Sequence, residues 1–275
     1  MVAVLPRSVA YRQELGQRRA PQERPLPSES GFRSRPVPLA FRPAPGRVPK
    51  GRRVYAIGDI HGCDARLAAL HRLVLADLAA RPVAAPLLLH IGDYVDKGPD
   101  SAGVVARLVA GPPLPGLQVV NLMGNHERTM LDALAGERAA ITDWLWTGGH
   151  EALASWGIGP DAPPERWPEA IPAVHLAFLG GLALQHRVGG YLFVHAGIRP
   201  GVPPAAQTAE DLLRIRHDFL GSETDFGVVV VHGHTPVRHG PEVYMNRIAI
   251  DTGAVFGRAL TCLVLEADRL AFLEA

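Results

Sequence analysis

The sequence predicts an α/β fold, on three observations. From about residue 52, apolar runs of strand length alternate with stretches of helical spacing. The first half reads as βαβαβ, which implies parallel strands joined by right-handed crossovers. The second half is mostly short apolar runs, which implies a second sheet. A chain of 275 residues suits one large domain or two small ones.

In chain order, residues 53–57 (RVYAI) form the first expected strand. A helix is expected over 65–80, where Leu67, Leu70, Leu73, Val74 and Leu78 recur at helical spacing. A second apolar run at 87–91 precedes a helix over 101–110. A third strand at 117–122 precedes a helix over 127–135. Further strands are expected at 182–185, 191–194, 228–231, 248–250 and 260–265. Trp144, Trp146, Trp156 and Trp167 all fall in the middle segment, among Gly and Pro. That segment reads as an inserted cap, with the tryptophans as its core rather than a ligand platform.

Composition narrows the class. Apolar residues make up 47 % and charged residues 20 %, ordinary for a soluble globular protein. No stretch approaches the ~20 apolar residues of a membrane span. The opening MVAVLPRSVAYRQ lacks a long apolar run, so no secretory leader is expected. Two cysteines, Cys63 and Cys262, cannot make a disulfide framework, and a reducing, cytoplasmic setting is expected. Charge is uneven. Residues 1–50 hold ten basic and three acidic residues and nine of the 25 prolines; the other 225 hold 18 basic and 24 acidic. Such a segment buries too little apolar surface to offset its chain entropy. Residues 1–50 are therefore expected to be a disordered basic tail, with the folded domain at 51–275. The tail carries no recognition motif, so nucleic acid is not an expected partner. The oligomeric state is not legible.

Five of the expected strands end in polar clusters. They are Gly58-Asp59-Ile60-His61-Gly62, Gly92-Asp93-Tyr94-Val95-Asp96-Lys97-Gly98, Gly124-Asn125-His126-Glu127, His195-Ala196-Gly197 and His232-Gly233-His234-Thr235-Pro236. Ligands of open α/β sheets bind beyond the carboxyl ends of the strands. The clusters offer carboxylate, amide oxygen and imidazole without thiolate, the donor types of hard or borderline divalent ions. Asp59 and His61 are two apart and share a face if extended. Asp93 has two oxygens and can bridge two ions, with Asn125, His195 and His234 completing the second. Each piece has a bland alternative: Gly-Asp is a common turn, Asn-His a helix start, and a lone His a core residue. His71, His90, His150, His175, His186 and His239 stay in that class. Asp251 reads first as a turn residue. His232 reads equally as a residue orienting a ligand or as the close of its strand. The joint pattern carries the metal reading.

These residues resemble the phosphoprotein-phosphatase family of calcineurin-like metallophosphoesterases, whose signature GDxHG…GDxVDRG…GNHE is matched at 58–62, 92–98 and 124–127. The downstream FVHAG (193–197) and HGHTP (232–236) match as well, so the resemblance spans roughly residues 52–265. It implies a four-layer αββα sandwich of two mixed sheets with a small inserted cap, and two divalent metals, with Mn first and Fe or Zn as alternatives. By matching position, Asp59, His61 and Asp93 hold one metal, and Asp93, Asn125, His195 and His234 the other. His126, oriented by Asp96, is the implied general acid. Arg216 is the implied phosphate-gripping arginine, with Arg214 as fallback. The implied chemistry is attack by a metal-bridging hydroxide in line with the leaving oxygen.

One position departs from the pattern: Lys97 stands where the family has Arg. A lysine is a point charge, whereas an arginine is a bidentate fork. GDYVDKGPDS resembles the diadenosine tetraphosphatase branch, whereas WLWTGGHEALASWG (144–157) resembles bacterial protein phosphatases. The expected activity is a serine/threonine protein phosphatase, with tyrosine also considered; the alternative is a dinucleoside polyphosphate hydrolase. A catalytically dead phosphate-binding scaffold predicts a missing ligand, and every ligand position is filled.

Overall fold

The computed structural model describes residues 39–111, 114 and 116–275. Most of the expected tail, residues 1–38, lies outside the described residues. The remainder corrects the expected boundary. Strand β1 (Arg42–Pro43) pairs antiparallel with the last strand of the chain, and Val48 is 1 % exposed. Ala44 and Val48 donate backbone N–H to Asp268 and Ala267. The folded unit therefore begins before residue 42. The prolines and arginines of 42–49 cap a sheet edge, a place where proline is tolerated.

The chain continues as β2 (Arg52–Ile57), α1 (Asp64–Ala80), β3 (Ala85–His90), α2 (Ser101–Val109), β4 (Gln118–Asn121) and α3 (Asn125–Leu134). A helical insert follows: α4 (Arg138–Trp144), a π-helical turn (Leu145–Gly149), α5 (His150–Ser155), α6 (Trp167–Ala170) and α7 (Ala173–Gly180). The second half holds β5 (Gln185–Val188), β6 (Tyr191–Val194), α8 (Ala209–Arg214), α9 (His217–Leu220), β7 (Val229–His232), β8 (Glu242–Val243), β9 (Arg247–Ala249), β10 (Thr261–Glu266) and β11 (Arg269–Glu274).

Two mixed sheets result, ordered β1-β11-β10-β2-β3-β4 and β5-β6-β7-β9-β8. β2, β3 and β4 run parallel, as the βαβαβ pattern predicts, and so do β6, β7 and β9. Alternation along each strand builds the layers. Val54 and Ala56 of β2 meet Tyr191, Phe193, Val229 and Ile248 of the other sheet. Tyr55 and Ile57, one residue out of phase, face Leu67, Leu70 and Val74 of α1. Leu192, Val194 and Val230 turn outward onto Leu212, Ile215 and Phe219 around α8 and α9. The order is helix, sheet, sheet, helix: an α/β four-layer αββα sandwich. Strands covered on both faces explain why their sequences read as unbroken apolar runs.

Two expectations need correction. The strand expected at 182–185 falls at Gln185–Val188, because the Gly189-Gly190 turn pairs Val188 with Tyr191 and fixes the register. Gly189 sits at φ +57°, and a Cβ there would lie 2.6 Å from Arg47 O. The run expected at 260–265 belongs to the first sheet, not the second: β10 pairs antiparallel with β2. Alternation shows that a strand is covered, not which strand covers it.

Candidate metal centre

Every polar cluster lies just beyond the carboxyl end of a parallel strand. Beyond β2 come Asp59 and His61; beyond β3, Asp93, Asp96 and Lys97; beyond β4, Asn125 and His126 at the start of α3. β6 leads into His195, and β7 into His234. Backbone bonds lock the loops together. Ile60 N and His61 N both donate to Asp93 O, at 3.0 and 2.8 Å. Gly233 N donates to His195 O at 2.8 Å. Contacts also join the loops of the two sheets: His234 N donates to Asp59 Oδ2 at 3.0 Å, and His195 Nδ1 bonds Ile91 O at 3.0 Å. His61, Asp93, Asp96, Lys97 and His234 all have positive φ, between 44° and 71°. That costs a non-glycine residue energy and is typical of functional sites. Glycines let the loops close on the two carboxylates: a Cβ on Gly124 would sit 2.1 Å from Asp93 Oδ1, and one on Gly233 2.0 Å from Asp59 Oδ1.

Asp93 is the hub. Its Oδ2 lies 3.3 Å from His61 Nε2 and its Oδ1 3.3 Å from His195 Nε2. His61 Nδ1 and His195 Nδ1 each face a backbone carbonyl, Val95 O at 2.8 Å and Ile91 O. A carbonyl can only accept, so both Nδ1 atoms donate, and both Nε2 atoms turn toward Asp93. Asn125 Oδ1 joins them, 2.9 Å from His195 Nε2. Among the described residues, two buried groups have potential ligating atoms within 4.8 Å of one another: His61, Asp93 and His126, and Asp93, His195 and His234. They share Asp93, the residue expected to bridge. The first group contains His126 where Asp59 was expected; Asp59 lies beside it with Oδ1 buried and without a partner.

This donor set fits cations. Burial, with Asp251 and Asp93 nearby, pushes the Asp59 carboxyl well above the usual range, so its charged form needs a counter-ion. Burial opposes the charge on Asp93 too, yet His195, His126 and His61 hold its carboxyl well below the usual range. Burial and the neighbouring His195 push the His234 imidazole down to about 2, leaving it neutral with a free lone pair. Two of the ring nitrogens meet cationic side chains: Lys97 Nζ lies 2.9 Å from His61 Nε2, and Arg216 Nε donates to His234 Nε2 at 3.0 Å.

Beside the hub, His126 Nδ1 bonds Asp96 Oδ2 at 2.7 Å, the pairing expected from sequence. Asp96 Oδ1 accepts from the indole Nε1 of Trp144 at 2.8 Å. Trp144 is fully buried, as expected of a core residue, but its hydrogen bond to Asp96 is not visible in sequence. Glu127 closes the third polar cluster. Its carboxylate accepts backbone N–H from Asp93, Tyr94, Val95 and Gly124, at 2.7–3.1 Å. Asp251 accepts from Gly253 N, the turn role expected. His232 closes its strand: its Nδ1 bonds Gly233 O at 3.2 Å and its ring packs edge-on against Phe219. His71 and His90 pair with each other at 3.0 Å in the core.

A cavity of about 640 Å³ opens over His126, Asn125 and His234, with Lys97, Arg214 and Arg216 on its wall. Both candidate arginines are therefore present. Arg214 is engaged by Thr129 at 2.7 Å and Glu210 at 3.6 Å, while Arg216 reaches His234. Trp146 also lines this cavity and is 89 % exposed, against the expectation that all four tryptophans are core. A second cavity, about 630 Å³ by Gly46, Glu223 and Tyr244, holds none of these residues.

The family model of the calcineurin-like phosphoesterases matches residues 52–259. Serine/threonine-protein phosphatase 1 of Salmonella typhimurium is 29 % identical over 219 residues, covering 76 % of this chain and 90 % of that protein. Bis(5'-nucleosyl)-tetraphosphatase PrpE [asymmetrical] of Bacillus subtilis is 31 % identical over 222 residues, covering 74 % and 87 %. Among solved structures, one described as a candidate diadenosine tetraphosphatase aligns with TM-score 0.57 and 24 % identity, over 81 % of this chain and 93 % of the other. Loops that bring buried carboxylate, amide and imidazole donors together over one cavity are thus the loops that carry the family's match, and the chain belongs to the calcineurin-like phosphoesterases, a family of metal-dependent hydrolases.

Proposed function

We propose that this hydrolase removes phosphate from phosphoproteins, serine and threonine first, with tyrosine also accepted. The supporting observation is the modest cationic charge over His126. Lys97, Arg214 and Arg216 are the cationic side chains of the cavity wall, and Asp143 and Glu151 share that wall. Such a balance suits one phosphate with a neutral or basic neighbourhood. It is poor for a chain of phosphates, each bringing negative charge. The Salmonella relative named a protein phosphatase agrees with this reading, and the Bacillus relative named a tetraphosphatase agrees equally with the alternative below.

Asp59, His61 and Asp93 would hold one divalent ion, and Asp93, Asn125, His195 and His234 the other; Mn is first choice, with Fe or Zn also suited. When bound, the ions supply Lewis-acid activation of the attacking water and charge neutralisation at the phosphoryl oxygens. Lys97 and Arg216 orient those oxygens from the cavity wall and stabilise the charge that develops there. Water's oxygen adds to phosphorus and the bond to the leaving oxygen breaks. His126, with Nδ1–H held by Asp96, presents Nε2–H to that oxygen and gives up its proton. The products are inorganic phosphate and the free hydroxyl. Cys63 and Cys262 are free, consistent with a reducing, cytoplasmic setting.

Lys97 in place of the family arginine favours the alternative, a dinucleoside polyphosphate hydrolase. The decisive experiment compares kcat/KM on phosphoserine and phosphothreonine peptides with kcat/KM on diadenosine tetraphosphate, with Mn supplied. Faster peptide turnover is expected. Turnover of the nucleotide alone would overturn the reading.

A further inference from the structure

Trp146 differs from the other three tryptophans. It stands 89 % exposed on the wall of the cavity over His126. The turn that carries it is tightly held. Gly148 sits at φ +116°, a region that strains any side chain, and its carbonyl accepts the backbone N–H of Lys97 at 3.2 Å. A Cβ on Gly148 would lie 2.6 Å from Lys97 N, and one on Gly149 would lie 2.8 Å from Trp144. The Leu145–Gly149 turn is thus clamped between Trp144, which bonds Asp96, and the backbone of Lys97. A large aromatic face kept in water by a rigid turn, at the mouth of a reaction cavity, is placed to be covered by whatever enters.

Its neighbours define the occupant. Asp143 in α4 and Glu151 in α5 line the same wall, both exposed. Neither is in an ion pair among the described residues. Arg214, Arg216 and Lys97 supply the cavity's positive charge. A phosphate is drawn to those cations. The group beside it meets an indole face accompanied by two free carboxylates. A guanidinium or ammonium gains from the ring and from both charges. A second phosphate gains from neither and is repelled.

We propose that Trp146, with Asp143 and Glu151, forms a specificity subsite for a basic side chain flanking the phosphorylated residue of the substrate. The proposal rests on the phosphoprotein reading above and adds which phosphoproteins are chosen. The test uses the full-length, Mn-loaded enzyme and phosphoserine peptides that differ only in one flank: Arg, Ala or Glu. In the wild type, kcat/KM should favour the Arg flank over Ala by about 3- to 30-fold, mostly through KM. Glu should fall below Ala. Trp146→Ala should bring the Arg/Ala ratio close to one, and so should Asp143→Asn combined with Glu151→Gln. Trp146→Phe should keep most of the preference. Each ratio is taken within one enzyme, so a general loss of activity or folding cancels. An Arg/Ala ratio of one in the wild type would overturn the subsite while leaving the phosphoprotein reading intact. So would a ratio that survives both variants. Diadenosine tetraphosphate outpacing every peptide would overturn the phosphoprotein reading, whereas the ratio among the peptides would still report on the subsite.

Discussion

Trp144→Phe isolates the contribution of one hydrogen bond to the proposed acid. The indole Nε1 donates to Asp96 Oδ1 at 2.8 Å, and Asp96 Oδ2 accepts from His126 Nδ1 at 2.7 Å. Burial pushes the Asp96 carboxyl up, and His126 and Trp144 counter that by donating to the charged form. Phenylalanine keeps an aromatic ring and removes the second donor. A hydrogen bond to a charged group contributes roughly 1.5–3 kcal/mol, which sets a ceiling of about 10- to 150-fold on the loss in rate. The loss should depend on the leaving group. A phosphoserine peptide leaves as an alkoxide and needs the proton of His126; nitrophenolate leaves without one. We expect kcat/KM to fall by roughly tens of fold on the peptide and clearly less on p-nitrophenyl phosphate. Packing is read separately. The smaller ring leaves a gap beside Trp167, whose ring centroid lies 5.6 Å away. Urea unfolding should register a loss of about 1–2 kcal/mol. Equal rate losses on the two substrates would refute the relay and leave Trp144 as a core residue only.

Asp93 lies between both proposed ligand groups, so Asp93→Asn should abolish turnover and lower bound metal by more than one equivalent per chain. Elemental analysis that still finds two metals would sink the bridging role. Removing residues 1–38 should leave the unfolding midpoint unchanged, whereas a chain beginning at Pro49 loses β1 and the buried Val48. The second truncation should cost at least about 1.5–3 kcal/mol in urea unfolding, the contribution of one buried aliphatic side chain; equal midpoints would contradict the packing of β1 and Val48. Lys97→Ala should lower kcat/KM by roughly 1.5–3 kcal/mol, the scale of a charge-assisted hydrogen bond. Lys97→Arg should raise activity on phosphomonoesters relative to diadenosine tetraphosphate, and an unchanged ratio would remove Lys97 as support for the nucleotide reading.

What was legible in the sequence is what is local. Apolar runs and the clusters that follow them are neighbours along the chain, so Asp59, His61, Asp93, Asn125, His195 and His234 could all be placed at strand ends. The βαβαβ pattern gave the parallel β2-β3-β4 core for the same reason. Relations set by packing were hidden. Nothing near residue 96 announces that Trp144 reaches it, nor does anything near Gly124 reveal that Glu127 gathers backbone donors from 93–95. Composition argued for a tail through residue 50, yet Val48 buries and β1 adds an edge strand. A proline-rich stretch can pack if its donors face carbonyls across an edge, and composition carries no such register. Residue type groups Trp146 with Trp144, Trp156 and Trp167, whereas its exposure depends on the turn at Gly148.

The loop from Asp93 to Lys97 shows why these hidden partners belong to the site. Asp93, Asp96 and Lys97 have positive φ. At about 1–3 kcal/mol each, the loop carries about 3–9 kcal/mol of backbone strain. Every N–H from 93 to 98 has an acceptor: Glu127 for Asp93, Tyr94 and Val95, Ser101 Oγ for Asp96, Gly148 O for Lys97 and Asp96 O for Gly98. Six bonds at about 0.5–1.5 kcal/mol each return a similar sum. The loop thus holds its shape only because α2, α3 and the π-helical turn all supply acceptors at once. Asp93 and Lys97 are positioned by the same set of bonds, so the hub of the candidate metal centre and a cation of the cavity wall share one framework. A change in any of the three supporting elements therefore shifts both together, and the helical insert is part of the active centre although none of the proposed metal ligands lies in it.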